Sequence, residues 1–124
     1  LGGGIGLTIG DIKNILRAEV LYGDELFDKE VHTACGSDMM SDVLAFVKDQ
    51  SVLLTGLVNS QVVRTAEIMD MVCIIFVRGK KPDDSIVSLA KERQIAVMTT
   101  EYRMFTACGL LYEAGLKGGC RQIE

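Results

Sequence analysis

The spacing of apolar positions changes several times along the chain, and each change marks an element. Thr8 with Asp11 makes a capping arrangement ahead of Ile12, Ile15 and Leu16, whose helical spacing predicts a short helix ending near Arg17. Glu19 to Tyr22 and Glu30 to Cys35 read as strands on either side of the turn-forming Gly23-Asp24. From Ser37-Asp38 onward, Met40, Val43, Leu44 and Val47 fall on one helical face, which predicts a second helix ending near Lys48. Ser51 to Thr55, closed by Gly56, is a compact β-branched and leucine run and predicts a buried strand.

The second half repeats one unit. Asn59 or Ser60 caps a helix whose apolar stripe is Val62, Val63, Ala66 and Met69, with Gln61, Arg64, Glu67 and Asp70 mostly outside it. Met71 to Val77 is apolar without interruption, as burial on both faces demands, and predicts a central parallel strand. Pro82, Asp83 and Asp84 suit a helix start, since proline loses no hydrogen bond in the first turn and carboxylates favour the positive end of the dipole. Ile86, Leu89 and Ala90 then face the sheet. Ile95 to Met98 reads as a further strand and Thr99 or Thr100 as a cap. Met104, Phe105, Cys108, Leu111 and Tyr112 form the stripe of a last helix ending near Gly115.

Successive strand-helix units with short connections set their strands parallel through right-handed crossovers. The prediction is therefore an α/β fold, a single three-layer domain with a mostly parallel sheet of about four to six strands flanked by helices. That domain is expected over residues 8–116, after a flexible leader or cloning remnant at 1–7 and before a flexible polar tail at 117–124. The glycines at Gly2, Gly3, Gly4 and Gly6 do not make a nucleotide loop, because no strand precedes them.

Composition narrows the function. At 124 residues and 48% hydrophobic, the chain sustains one core without disulfide staples. Its apolar excess suits two-sided strand burial and a subunit interface. A net charge of −4 argues against a nucleic-acid surface, and the one basic cluster, Arg78-Gly79-Lys80-Lys81, reads as a solvated loop or an anion contact. No run approaches the roughly 20 apolar residues that cross a bilayer, and no signal-peptide pattern is present, so a cytoplasmic protein without a membrane partner is the expectation. Cys35, Cys73, Cys108 and Cys120 are dispersed and His32 is the single histidine, which disfavours zinc, while Cys73 in an apolar run and Cys108 on an apolar helical stripe read as buried thiols in a reducing compartment.

Catalytic pairs are not evident. His32 and Cys35 lie three apart on a predicted strand, where they point to opposite faces. Asp28, Glu30, Asp38 and Asp42 match no calcium loop and read as caps and solvated faces, while Glu92 and Arg93 fit a helix exterior. No metal and no cofactor are expected. Ligands of open parallel sheets bind beyond the carboxyl ends of the strands. There the small and hydroxylated set Gly36, Ser37, Thr55, Gly56, Asn59, Arg78, Gly79, Thr99 and Thr100 lets an anionic ligand approach backbone N–H groups, although tight strand-to-helix turns need the same residue types. For an interface the candidates are Met39, Ile68 and Met71, read as apolar side chains left on exposed helix flanks.

Three stretches carry a family resemblance: Val31 to Met40 (VHTACGSDMM), Ser51 to Gly56 (SVLLTG) and Phe76 to Pro82 (FVRGKKP). From Ala18 to about Gly118 the chain resembles the DRTGG domain family. These small modules occur alone, beside CBS domain pairs in regulated pyrophosphatases, and within phosphate acetyltransferases and cobyrinate-synthase-like proteins. The five letters that name the family are absent as written, their nearest echo being Arg64-Thr65 inside a predicted helix. The resemblance implies an α/β module that dimerises and accompanies regulatory or metabolic domains, with no established chemistry of its own. A looser likeness to the amino-terminal domains of HPr kinases concerns the fold.

Two functional expectations follow. The first is a non-catalytic regulatory or protein-interaction domain that self-associates as a homodimer and works with a regulatory partner protein. The alternative is a sensor that binds a nucleotide or phosphorylated metabolite at the carboxyl ends of the strands, with Arg78 supplying charge. An enzyme ranks last, for want of a nucleophile and an oriented base.

Overall fold

A computed structural model describes residues 6–46 and 49–118. In chain order the elements are β1 (Leu7–Thr8), α1 (Ile9–Leu16), β2 (Glu19–Tyr22), a 3₁₀ turn (Asp24–Leu26), β3 (Glu30–Val31), β4 (Thr33–Gly36), α2 (Met40–Val43), β5 (Ser51–Thr55), α3 (Ser60–Ile68), β6 (Cys73–Phe76), α4 (Asp84–Glu92), β7 (Ala96–Thr99) and α5 (Met104–Glu113).

Helix starts follow local chemistry. At α1 the Thr8 hydroxyl accepts the Asp11 N–H at 3.1 Å and the Asp11 carboxylate accepts the Thr8 N–H at 2.9 Å, a reciprocal cap that satisfies donors a helix start leaves open. Asn59 Oδ1 accepts the Val62 N–H to begin α3. At α4 the cap is Asp83, whose Oδ1 accepts the Ile86 N–H, so Pro82 stands outside the helix rather than in its first turn. The expected cap at Thr99 or Thr100 is not found: Arg103 holds that position in α5, with no side-chain bond.

The main sheet has the order β2-β7-β6-β5-β4, with β4 to β7 parallel and β2 antiparallel along the β7 edge. Register sorts the apolar side chains into rows. Cys35, Leu53, Ile74 and Val97 stand opposite one another toward one face, and Ala34, Val52, Cys73 and Ala96 form the neighbouring row on the other. β6 is central, and every residue from Met71 to Val77 is buried, which explains its unbroken apolar run.

Helices cover both faces. Ile9, Ile12 and Leu16 of α1 pack with Ala107 and Leu111 of α5 on one side; α2, α3 and α4 pack on the other through Met40, Val43, Val62, Val63, Ala66, Ile86 and Ala90. β4, β5, β6 and β7 are consecutive neighbours, so their three crossovers step the same way and leave their helices on one face. The chain changes face after β7.

Several expectations need correction. Met71 is 3% exposed, because it enters β6 among the residues beneath α3 rather than lying on a helix flank. The strand expected over Glu30 to Cys35 is split at His32 into β3, which pairs with β1, and β4, which pairs with β5. α2 ends after four residues, so Leu44 never joins its buried face and is 48% exposed; Val47 and Lys48 lie outside the described residues. On α5, Phe105 and Tyr112 face outward and Ala107 and Leu111 face the sheet. That helix is apolar nearly all round, so periodicity could not select its buried side. Leu7, expected in the leader, pairs with Val31, and Lys117, expected in the tail, receives the Ala34 N–H on its carbonyl at 2.9 Å. The other expected leader and tail residues, apart from Gly6 and Gly118, lie outside the described residues.

Candidate functional site

The carboxyl ends of the parallel strands bring Thr55, Gly56 and Arg78 together around Asp38, whose place after a strand suggests only a cap or a solvated face. The Asp38 carboxylate reaches across from the turn after β4. Its Oδ1 accepts the Gly56 N–H at 2.7 Å and the Thr55 hydroxyl at 3.1 Å, while the Thr55 oxygen in turn accepts the Leu57 N–H. A Cβ on Gly56 would stand 3.5 Å from Arg78 Nη2 and 3.6 Å from Asp38 Oδ1, so the guanidinium and the carboxylate share the space above this glycine. One oxyanion is thus held by a backbone N–H and a hydroxyl with a cation alongside, the donor set by which proteins hold carboxylates and phosphates. Its sequence signal was thin, since an aspartate after a strand is equally a cap.

The remaining predicted residues are committed elsewhere. Asn59 caps α3, and the Ser37 hydroxyl accepts the Met39 N–H. Gly36 lies under α5, where a Cβ would come within 2.7 Å of Cys108 Sγ. Thr99 donates its hydroxyl to the Lys80 carbonyl at 2.6 Å, and buried Thr100 donates to the Leu16 carbonyl at 2.8 Å.

Connections after β6 and β7 leave on opposite faces, the place where a crevice opens in sheets of this class. Here it is laced by backbone bonds, Arg78 N–H to the Tyr102 carbonyl at 2.8 Å and Gly79 N–H to the Thr100 carbonyl at 2.7 Å. Arg78 and Gly79 both adopt left-handed backbone, φ 61° and 68°, and the Glu101 carboxylate lies where a Gly79 side chain would stand. Among the described residues, one cavity reaches Gly36 at the carboxyl end of β4 and another lies at the opposite ends of the strands. The first, of about 190 Å³, runs between β4 and α5, bordered by Ala34, Cys108 and Tyr112; the second, of about 340 Å³, opens at the amino ends of the strands, beside the Glu67–Arg93 ion pair.

The nucleophile candidates are not activated. Burial pushes the Cys35 thiol up to about 11 and raises Cys73 and Cys108 as well, so all three are thiols at neutral pH, and none is in a disulfide. His32 points its ring toward carboxylates: Nδ1 lies 2.8 Å from Asp49 Oδ1 and Nε2 3.6 Å from Glu30 Oε1. The Asp49 hydrogen bond raises the His32 pKa above its ordinary value, and the same bond lowers that of Asp49. Among the described residues no group of three or more His, Cys, Asp or Glu side chains is placed to hold a metal ion, and no helix is long and apolar enough to cross a membrane.

Comparison with known proteins agrees with this architecture. No curated protein matches the sequence. Four chains of solved structures match, among them a crystal structure of the CBS and DRTGG domains of the regulatory region of Clostridium perfringens pyrophosphatase, complexed with its activator, diadenosine tetraphosphate. That structure is 21% identical with a TM-score of 0.70, over 92% of this chain and 49% of the other, so the chain spans about half the length of that region. At this identity the likeness is one of fold. The DRTGG domain family itself matches residues 11–114, nearly the whole of the described structure. On that match, and on the three-layer fold that accompanies it, the chain belongs to the DRTGG domain family.

Proposed function

We propose that this chain is a non-catalytic regulatory module that acts as a homodimer and exchanges a signal with a partner protein. The observation that carries the proposal is the apolar surface left uncovered on a chain of this size: Phe105 is 90% exposed, with Met39, Ile68, Tyr112 and Leu44 each about half exposed or more. Met39 and Ile68, exposed at the start of α2 and the end of α3, offer a surface to the partner protein. The regulatory part is supported by the family, one of whose domains lies in the regulatory region of a pyrophosphatase. We take the functional unit as 8–116 together with Leu7 and Lys117, which pair with β3 and β4, and its setting as a reducing cytoplasm, which the free thiols support. Light scattering on purified protein tests the dimer: a mass of two chains at micromolar concentration supports it, and a monomer throughout refutes it.

A second reading is favoured by the Asp38 contacts. The donors of Thr55 and Gly56, with Arg78 beside them, suit a nucleotide or phosphorylated metabolite that takes the place of the carboxylate. Calorimetry with adenine nucleotides, including diadenosine tetraphosphate, tests it. Saturable binding that weakens about 10-fold or more in Arg78→Ala supports the site, and no saturable heat removes it.

A further inference from the structure

A glycine in the middle of α5 has no explanation within its own protomer. Gly109 is exposed, glycine is the weakest helix former after proline, and a Cβ at this position would meet nothing within 4 Å. No neighbouring element presses on the backbone here, and Gly109 is not among the glycines with positive φ. Of its companions on the outer face, Phe105 is 90% exposed, and Tyr112 is half exposed with the Lys117 ammonium 3.9 Å from its ring centroid. With about 100° between successive residues, Phe105 and Tyr112 flank Gly109 on one side, Thr106 and Glu113 on the other, and Ala107 and Leu111 point the opposite way into the core. A helix that is apolar on both faces belongs between two layers, and this protomer supplies one.

Resting on the homodimer reading, we propose that two copies meet through antiparallel α5 helices that cross at Gly109. The face is self-complementary about a two-fold axis perpendicular to the helix pair. Phe105 stands about 6 Å before Gly109 along the axis and Tyr112 about 4.5 Å after it, so Phe105 of one copy falls beside Tyr112 of the second, twice, on the same flank. On the other flank Glu113 meets Thr106 and comes level with Arg103 of the second copy. Arg103 and Glu113 are the sole charges of α5 and its cap and stand at opposite ends, so antiparallel packing pairs them where parallel packing would oppose like with like. The bare Cα of Gly109 lets the axes approach more closely than the usual 8–10 Å or so.

Sedimentation equilibrium on the wild type and five variants tests this. Gly109→Leu and Phe105→Glu should each raise the dimer dissociation constant by about 10-fold or more without lowering the thermal midpoint measured at concentrations dilute enough to dissociate the wild type, because both side chains enter open space in the protomer. Ile68→Glu, on α3 across the sheet, should leave it unchanged. Arg103→Glu should weaken the dimer and the double variant Arg103→Glu/Glu113→Arg should restore it. The two residues are about 15 Å apart within one α5, so only a contact between copies explains that rescue. A wild-type dimer indifferent to Gly109→Leu and Phe105→Glu overturns the α5 crossing and leaves the homodimer standing on another face. A wild-type monomer at every concentration overturns both.

Discussion

Replacing Thr100 by Val isolates one bond between the two ends of the fold. The side chain is 2% exposed, and its hydroxyl donates to the Leu16 carbonyl at 2.8 Å, joining positions 84 apart in sequence. Leu16 is the last residue of α1, where carbonyls have no partner within the helix, so Thr100 supplies what the helix cannot. The Tyr102 N–H, which also uses this hydroxyl at 3.3 Å, is half-buried and has water as a substitute. Valine has nearly the shape of threonine and leaves no cavity. The cost is therefore that of a buried acceptor left unpaired, about 1–3 kcal/mol, offset in part by the new buried methyl at about 0.8 kcal/mol. A net loss of about 1–2 kcal/mol lowers the midpoint of a domain this size by roughly 4–10 °C. Urea unfolding followed by circular dichroism should show a lower midpoint at an unchanged slope. Because the hydroxyl is aimed inward, Thr100→Val should not alter any anion affinity that Arg78→Ala weakens. A variant within about 0.5 kcal/mol of the wild type would show that the bond does not secure α1 to the sheet.

Other perturbations test separate features. Gly23→Ala should cost about 2–4 kcal/mol by the same urea assay, since φ is 122° and the new Cβ would sit 2.7 Å from that of Ala96; unchanged stability would contradict this close approach. Asp70 and Gln94 follow α3 and α4 in left-handed conformation, φ 57° and 60°, and glycine at either should raise stability by about 0.5–1 kcal/mol, a fall arguing that the side chain itself holds the turn. His32, the single histidine, should titrate by NMR above 6.5 because of Asp49. Its raised folded value means the stabilisation is complete below the unfolded value and is lost as pH climbs through the folded one. With 45% of the side chain exposed, this amounts to less than about 1 kcal/mol, and His32→Gln should flatten the dependence. A midpoint at or below 6.5 refutes the pairing.

Where one residue pattern permitted one structure, the sequence was enough. Met71 to Val77 is too continuous to have a wet face and became the central strand; Asn59 ahead of Val62 and Val63 fixed the start of α3. Pairing was not legible in the same way. Glu19 to Tyr22 announces a strand, but nothing local says that its neighbour is β7, because that choice depends on how the faces of the finished sheet are covered. The left-handed ends of α1, α3 and α4 were hidden because Arg17, Asp70 and Gln94 stand where glycine would have signalled them. At the candidate site, residue type pointed to Thr55, Gly56 and Arg78, which the fold brings together. Asp38 emerged only when the parallel alignment of β4 and β5 carried its carboxylate to Gly56.

Pairing of β2 with β7 also governs the order in which the domain can assemble. Glu19 faces Thr99, so a strand made early in synthesis waits some 80 residues for its neighbour, while β4, β5 and β6 find theirs across the single helical crossovers of α2 and α3 as they emerge. A ribosome-bound fragment ending before β7 therefore holds a partly built sheet with β2 stranded and α1 lacking α5. Completion comes in one late step, and the nascent chain is most open to chaperones and proteases just before it.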